Sequence, residues 1–568
     1  MIVAAALLAF ATIAQAQTVR GSVVDRVDSA PVPGVVVLLI DDGGNVAARA
    51  LTNERGEFRL PAGTPGVYRL RTMRIGFRPV TSDVIQVAAG EEVTRQVVVA
   101  GVPFSLDTVR VQRRSTCRMR ADSALVTYAI WEQVRTALTA TDLSSRARNV
   151  FATIVTYERF LEPRSKRVLR QSSRVKSGET NRPWTSLSAD SLRRVGYVAE
   201  VNGWSIYTAP DLDALLSAQF LEDHCFRIAQ LSDSGWVGLA FEPAPDRKHI
   251  PEISGTVWLD RRSAELRRME FLYTHISPDA EDGNAGGDMD FIRAKHGAWA
   301  ISAWNIRMPV LTQNFFRSEP GNPAQQSREK IIVKEIKVGG GELALMMRGR
   351  DTLWSRPPLT LTGTVTDSVS GRAAVAARVV VKGTSLQGTT DSSGRFAIDG
   401  ALPGEYTILV RTPSLDSLAA VWQSWVAFSD TRPVALRVPS AANLQDQWCP
   451  DSVTGSGTSV GLVTGEVRVR GDSIQRQGIG VIVEWLSYFV MPNDMAVALT
   501  RSKGLTARTD DAGVYRICGV PVNTAFKVRT ALDDKLSTPG RIPPDERFAR
   551  VDVIVDTQTS VAGPRPRP

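Results

Sequence analysis

Along most of this chain the hydrophobic positions come in short runs, either alternating with polar residues or closed off by Gly, Pro, Asn and Asp. Such runs predict β-strands and turns. One stretch breaks the pattern. In "ADSALVTYAIWEQVRTAL" (121–138), Tyr128, Trp131, Val134 and Leu138 fall three or four apart on one face, which predicts a core-facing helix, with Asp122 or Ser123 as its cap. After it, strand patterns dominate again: "NVFATIVTYERFL" (149–161), "GWVGLAFEP" (235–243), "ISGTVWLDRRSAELRRMEFLY" (253–273) and "GAWAISAWNIRMPVL" (297–311). The third of these is a hairpin turning at Asp260-Arg261-Arg262-Ser263. Residues 115–355 therefore predict a β-rich middle domain, a curved antiparallel sheet preceded by a short N-terminal helix.

On either side of that region one phrase recurs. "TNERGEFRLP" (52–61), "TDSSGRFAIDG" (390–400) and "TDDAGVYRICG" (509–519) share the form T-[DN]-x-x-G-x-[FY]. Each follows a G-x-V strand, a turn and a Val-rich strand, and each precedes an aromatic strand. The spacing from Thr to Gly is the same in Thr52 to Gly56, Thr390 to Gly394 and Thr509 to Gly513. The next core aromatics follow at similar distances, from Phe58 to Tyr68, Phe396 to Tyr406 and Tyr515 to Phe526. The phrase is a hairpin. Thr packs at the end of a strand, Asn or Asp folds onto the backbone two residues on, and Gly supplies a positive φ. The following aromatic points inward because strand side chains alternate. Short strands and turns around each copy read as an antiparallel β-sandwich.

These segments resemble the carboxypeptidase regulatory-like domain, a transthyretin-like, seven-stranded sandwich also grouped with carbohydrate-binding-like folds. The resemblance implies a mainly β chain. Three sandwiches, at 18–112, 360–440 and 460–557, flank the middle domain at 115–355. The third carries an insertion, "SYFVMPNDMAVALTRSKG" (487–504). "FSLDTVRVQRR" (104–114) resembles the segment that follows such a domain in TonB-dependent outer-membrane receptors, although no plug or barrel pattern comes after it. The middle region, through "GTVWLD" before a turn and a later Trp-rich strand, resembles the half-barrel of bacterial lipoprotein-carrier proteins, which implies an acyl-binding concavity.

Composition adds the compartment. "MIVAAALLAFATIAQAQ" is a short apolar run closing on Ala14-Gln15-Ala16, so residues 1–16 read as a signal peptide, although no Lys or Arg precedes the apolar core. It is shorter than the ~20 apolar residues that span a bilayer. No later run predicts a transmembrane segment, and "GPRPRP" ends a tail (558–568) that reads as disordered. The four cysteines, Cys117, Cys225, Cys449 and Cys518, form no CxxC pair, and an even count in an exported chain suggests disulfides. Three pairings are open; domain proximity favours Cys117–Cys225 and Cys449–Cys518. The net charge of +9 on 568 residues is mild and demands no anionic partner.

Candidate chemistry is sparse. His249-Ile250-Pro251-Glu252 spells H-x-x-E, but a catalytic zinc needs a third ligand, the last His is His296, and Pro251 makes the segment a loop. "DAEDGNAGGDMD" (279–290) gathers carboxylates without the spacing of a calcium loop and reads as a solvated hairpin loop. "EPRSKRVLRQSSRVK" (162–176) is basic but lacks the interleaved aromatics of a nucleic-acid surface. Of twelve Trp, Trp184 and Trp204 lie in polar, Gly/Pro-bearing contexts and are the candidates for an exposed ligand platform. The expectation is an exported, non-enzymatic binding or scaffold protein of the bacterial cell envelope: periplasmic, outer-membrane associated or extracellular. It needs no cofactor or metal and binds no nucleic acid. Its alternatives are carbohydrate binding by sandwich loops or exposed Trp, and lipid carriage by the middle domain. Carbohydrate, lipid or another envelope protein are the partners considered.

Overall fold

The computed structural model describes residues 17–99, 115–117, 125–147, 149–179, 182–201, 204–229, 235–315, 329–429, 432–450, 459–470, 477–490 and 498–556. Residues 1–16, read from sequence as a signal peptide, the segment at 104–114 and residues 558–568 lie outside the described residues. The chain divides into two compact units, 1–357 and 358–568.

The first unit opens with seven strands: β1 (Thr18–Asp25), β2 (Val36–Asp41), β3 (Val46–Leu51), β4 (Glu57–Pro61), β5 (Gly66–Met73), β6 (Val80–Val87) and β7 (Glu92–Val99). They form two sheets, β4-β1-β7 and β3-β2-β5-β6. All pairings are antiparallel except β1 with β7, which run parallel. The second unit repeats this plan. One sheet holds Thr360–Asp367 between Arg395–Asp399 and Val434–Val438, and the other orders Gln387–Thr389, Arg378–Val381, Gly404–Arg411 and Trp422–Phe428. A third sandwich follows, with Val460–Arg470 central and its last strand broken into Phe548–Arg550 and Val553–Asp556. The insertion foreseen at 487–504 lengthens a hairpin of this sandwich, Gly480–Val490 against Ala498–Arg508.

The repeated phrase builds the same hydrogen bonds each time. Asn53 Oδ1 accepts from Arg55 N and Glu57 N, both at 2.9 Å. Asp391 does so from Ser393 N and Arg395 N, and Asp510 from Ala512 N and Val514 N. Gly56, Gly394 and Gly513 have φ of 70°, 76° and 82°, as the turn requires. The threonine does more than pack. Thr52 Oγ1 donates to Val32 O at 2.7 Å and accepts from Val35 N at 2.9 Å, tying the hairpin to the loop before β2. Thr390 bridges Ala374 O and Ala377 N in the same way. The first-strand glycine has a steric reason as well. A Cβ on Gly21, Gly363 or Gly465 would strike the carbonyl of Arg95, Val434 or Val551, and would crowd the ring of Phe58, Phe396 or Tyr515.

The rest of the first unit is one large curved sheet and its cover. Its elements are β8 (Thr116–Cys117), α1 (Leu125–Ser145), β9 (Val150–Leu161), β10 (Val168–Gly178), α2 (Ala189–Val195), β11 (Val198–Val201), β12 (Trp204–Tyr207), α3 (Leu212–Leu216), α4 (Ala218–Asp223), β13 (His224–Ile228), β14 (Trp236–Pro243), β15 (Glu252–Asp260), β16 (Leu266–Thr274), α5 (Pro278–Asp282), β17 (Gly286–Arg293), β18 (Trp299–Phe315), β19 (Glu329–Arg348) and β20 (Asp351–Ser355). The sheet has eleven strands in the order β10-β9-β19-β18-β17-β16-β15-β14-β13-β8, with β20 on β19. Every pairing in it is antiparallel.

Helix α1 covers one face of this sheet. Trp131, Val134 and Leu138 are buried as the periodicity implies, but so are Ile130, Glu132, Gln133, Ala137 and Asp142. The reason is a second neighbour: Val36, Leu38 and Met73 of the first sandwich share one hydrophobic core with α1 and the sheet. Because β2 is buried on both faces, Val35, Val37 and Leu39 fill the sandwich interior while Val36 and Leu38 meet the helix. Two buried polar groups of α1 are spent on the same junction, while Asp142 pairs with Arg146 and Arg182. Glu132 binds Arg71 at 2.8 Å, and Gln133 accepts from Gly76 N at 2.7 Å and donates to Phe77 O at 3.0 Å. Unpaired, each would cost about 1–3 kcal/mol.

Candidate functional site: a polar groove on the open face

The implied acyl-binding concavity is not what the middle sheet presents. Its apolar face is filled by α1, whose Trp131 is 1 % exposed and packs against Phe220 and Phe226. Alternation along the strands then decides what the opposite face carries. On β16, Met269, Phe271 and Tyr273 point to the core, so Arg268, Glu270 and Leu272 point away. That open face holds a groove of ≈ 720 Å³. Both ends of the sheet reach it, through Leu161 and Lys166 beside the β9–β10 turn and through Ser115, Arg227 and Glu242 near the β8–β14 edge.

The strand registers line up its side chains. Arg227 stands opposite Ala240, Ala240 opposite Thr256, Thr256 opposite Glu270, Glu270 opposite Asp288 and Asp288 opposite Asn305. Neighbouring strands lie ~4.8 Å apart, so this row crosses six strands with one residue on each. Glu270 facing Asp288 puts like charges across a pair, which is unfavourable unless answered. Arg268 answers it, reaching Glu270 at 2.8 Å, Asp288 at 3.0 Å and Asp290 at 2.9 Å. Arg307 binds Asp288 at 3.1 Å and Asn305 Oδ1 at 2.9 Å, and Asn305 Nδ2 donates to Asp288 at 2.7 Å. Burial pulls the Arg268 guanidinium down, but Asp288, Asp290 and Glu270 outweigh it and hold it above its usual value. Burial raises Asp290, with Arg268 opposing. The floor of the groove is thus a fixed, largely neutralised polar lattice.

Two cations there are uncommitted. The side chains of Arg227 and Lys166 make no ion pair or hydrogen bond among the described residues, whereas Glu242 accepts from Ser115 Oγ at 2.5 Å.

The residues singled out by sequence are scattered. Trp184 is half-buried and packs on Trp304 at 5.9 Å, away from the groove's lining residues. Trp204 begins β12, and its side chain lies outside the description. Cys117 pairs with Cys225 and Cys449 with Cys518. The acidic stretch is a correction: in place of a hairpin loop, Asp279, Glu281 and Asp282 belong to α5, and Asp288 and Asp290 stand on β17 facing arginines. The basic stretch forms the β9–β10 hairpin, where Arg170 binds Glu335 at 2.7 and 2.8 Å and lies over Phe160.

The two ends of H-x-x-E part company. His249 is exposed, while Glu252 is 1 % exposed and ion-paired to Arg247. Around Glu252 sit Asp223 and His224, the latter 3.7 Å away and 1 % exposed. Burial pushes His224 down to about 4 against two carbonyl acceptors, Phe220 O and Ile253 O. Burial also raises Glu252 and Asp223, with Arg247 opposing. Sequence reading missed this ionic cluster, since its members come from α4, β13, the β14–β15 connection and the start of β15. A second cluster, Glu54, His296 and Asp351, joins the first signature hairpin to the β17–β18 turn and the start of β20; His296 Nε2 lies 2.9 Å from Asp351.

Comparison with known proteins bears on the modules. Residues 18–100 and 360–437 match the family model of the carboxypeptidase regulatory-like domain. The third sandwich shares their strand order and signature hairpin. No curated protein matches the chain. Among solved structures, a type II cohesin–X-dockerin complex from Acetivibrio cellulolyticus is similar at 21 % identity, over 15 % of this chain and 53 % of that one, with a TM-score of 0.10. The chain thus spans about half the length of that relative. BcpA, the major pilin subunit of Bacillus cereus, is similar at 7 % identity over 95 % of this chain and 99 % of that one, TM-score 0.13. The shaft pilin SpaA of Lactobacillus rhamnosus GG is similar at 11 % identity over 37 % and 99 %, TM-score 0.13. Scores this low carry no correspondence of whole chains. No helix among the described residues is long and apolar enough to cross a membrane.

Proposed function

We propose that the protein is an exported, non-catalytic scaffold and binding protein of the cell envelope, in which β-sandwich modules carry a sheet domain that binds its ligand in the polar groove. One observation carries the reading. The sheet's apolar face is closed by α1 and the first sandwich, so the surface it leaves open is a preorganised polar groove of ≈ 720 Å³. That volume is within the ~300–1,000 Å³ of small-molecule sites. Four cysteines paired in two disulfides fit an oxidising compartment. Arg268 and Asp288 are held by each other, as binding residues are, and are not poised as acid and base.

The test is retention of the full-length, oxidised protein on isolated envelope polymers, compared with Thr256→Arg, which fills the middle of the groove from a half-exposed position. Loss of retention with an unchanged melting curve supports the reading. Retention equal to the parent protein removes the groove from it.

A further inference from the structure

We infer that the groove binds an acidic oligosaccharide, a hydroxyl-rich chain with spaced carboxylates. This rests on the groove being the binding site and deepens that reading. The first argument is hydrogen-bond type. Thr256, Glu270, Asp288 and Asn305 place hydroxyl, carboxylate and amide groups side by side on adjacent strands. Such a row suits hydroxyls, each of which donates and accepts. An extended peptide would instead pair its backbone with a free strand edge, and the strands under the groove floor are central ones.

The second argument is charge. Within the groove Glu270 and Asp288 are neutralised by Arg268, and Asp288 again by Arg307, while Glu242 is hydrogen-bonded by Ser115 and keeps its charge. Arg227 and Lys166, at the two walls, have no ion-pair partner among the described residues, and the lining's four cations outnumber its three carboxylates, Glu242, Glu270 and Asp288, so the charge left for a ligand is positive. Glu270 and Asp288 in the middle repel a densely charged polyanion such as a nucleic acid. A chain with carboxylates at intervals and neutral hydroxyls between meets both requirements. Half-exposed Trp258, directly across from Arg268, lies over Gly238 of the next strand, beside the groove's lining residues.

The third argument is preorganisation. Arg268 and Arg307 already hold the acceptors in place, so little side-chain entropy remains to be lost on binding.

The test is calorimetric titration of the full-length, oxidised protein with three probes: an oligogalacturonate, the same oligomer as its methyl ester, and poly-L-glutamate. The oligogalacturonate should bind at least about tenfold more tightly than its ester, equivalent to ~1.4 kcal/mol. The double variant Arg227→Gln with Lys166→Gln should erase that preference, while Arg378→Gln on the second sandwich keeps it. Equal affinity for acid and ester overturns the charge argument and leaves the groove as a binding site. Equal or tighter binding of poly-L-glutamate overturns the sugar assignment in favour of an acidic polypeptide. Oligogalacturonate binding unchanged by Thr256→Arg overturns the groove reading itself. Absence of oligogalacturonate binding overturns this inference, while envelope-polymer retention lost in Thr256→Arg would still uphold the groove.

Discussion

Gly34 and Gly297 face each other across the junction of the first sandwich and the curved sheet, so close that a Cβ on Gly34 would lie 2.9 Å from the Cα of Gly297. A Cβ on Gly297 would lie 2.6 Å from the Cα of Gly34, and both residues have φ of 72°. Gly34→Ala therefore meets backbone that cannot step aside, on top of the conformational cost. The expected loss is about 2–3 kcal/mol in urea unfolding of the first unit. Gly44→Ala is the control. Its φ is 83° but nothing lies within 4 Å of the added carbon, so only the conformational cost of about 1 kcal/mol applies.

The threonine of each signature hairpin should act through its hydroxyl. Thr390→Val keeps the shape and the β-branch but strips the partner from Ala377 N. The expected cost is about 1–3 kcal/mol, seen as faster hydrogen exchange at the Ala377 amide. Thr390→Ser should restore most of the protection.

Acid should weaken the first unit through His224. Its folded pKa of about 4 lies below the unfolded value of 6.5. The unfolded chain therefore takes up the proton first. The contribution of His224 is present above pH 6.5 and is lost as pH falls toward 4, by up to about 3 kcal/mol. Glu252 and Asp223 are shifted upward, which has the opposite sign: their contribution is present below the ordinary carboxylate range and lost as pH rises through the folded value. Denaturant midpoints measured from pH 7 to 4.5 should fall more steeply for the parent protein than for His224→Gln.

The two ends of H-x-x-E should respond oppositely to mutation. His249→Ala removes an exposed side chain and should change stability by no more than ~0.5 kcal/mol. Glu252→Ala removes the main partner of the buried Arg247 guanidinium, leaving it Asp223 at 3.5 Å and Arg193 O at 3.0 Å, and should cost about 3 kcal/mol. Thermal denaturation of both variants, with bound zinc assayed after dialysis, checks this against a zinc site.

Breaking Cys449–Cys518 opens a loop of 69 residues. The double Ala variant should lose about 2–4 kcal/mol in the second unit. Non-reducing peptide mapping of the parent protein should recover the crosslinked pair.

The sandwiches were legible because their signal is local. Thr, Asx, Gly and aromatic sit within seven residues, and the hairpin they form is closed by bonds among those residues. The docking of the first sandwich onto α1 left a trace that went unread. "VVVLLI" at 35–40 is apolar at every position, as a strand buried on both faces must be. The corresponding "ARVVVKG" of the second copy carries Arg378 on its outward face. In "GGDMDF" (286–291) the acids alternate with Met289 and Phe291, a strand period hidden by the density of carboxylates. The groove itself was not legible. Arg227, Thr256, Glu270, Asp288 and Asn305 become neighbours only through the registers of six strands, and register is a property of the assembled sheet.

The parallel pairing of β1 with β7 has a mechanical consequence. The chain enters the first sandwich at the Thr18 end of β1 and leaves at the Val99 end of β7, at opposite poles of the same ribbon. A pull between those two points loads the whole Thr18–Asp25 ladder in shear, so its bonds must fail together; a hairpin pulled at its open end unzips one rung at a time. Thr360–Asp367 with Val434–Val438, and Val460–Arg470 with the broken last strand, repeat the arrangement. Each sandwich is therefore built to carry tension along the chain.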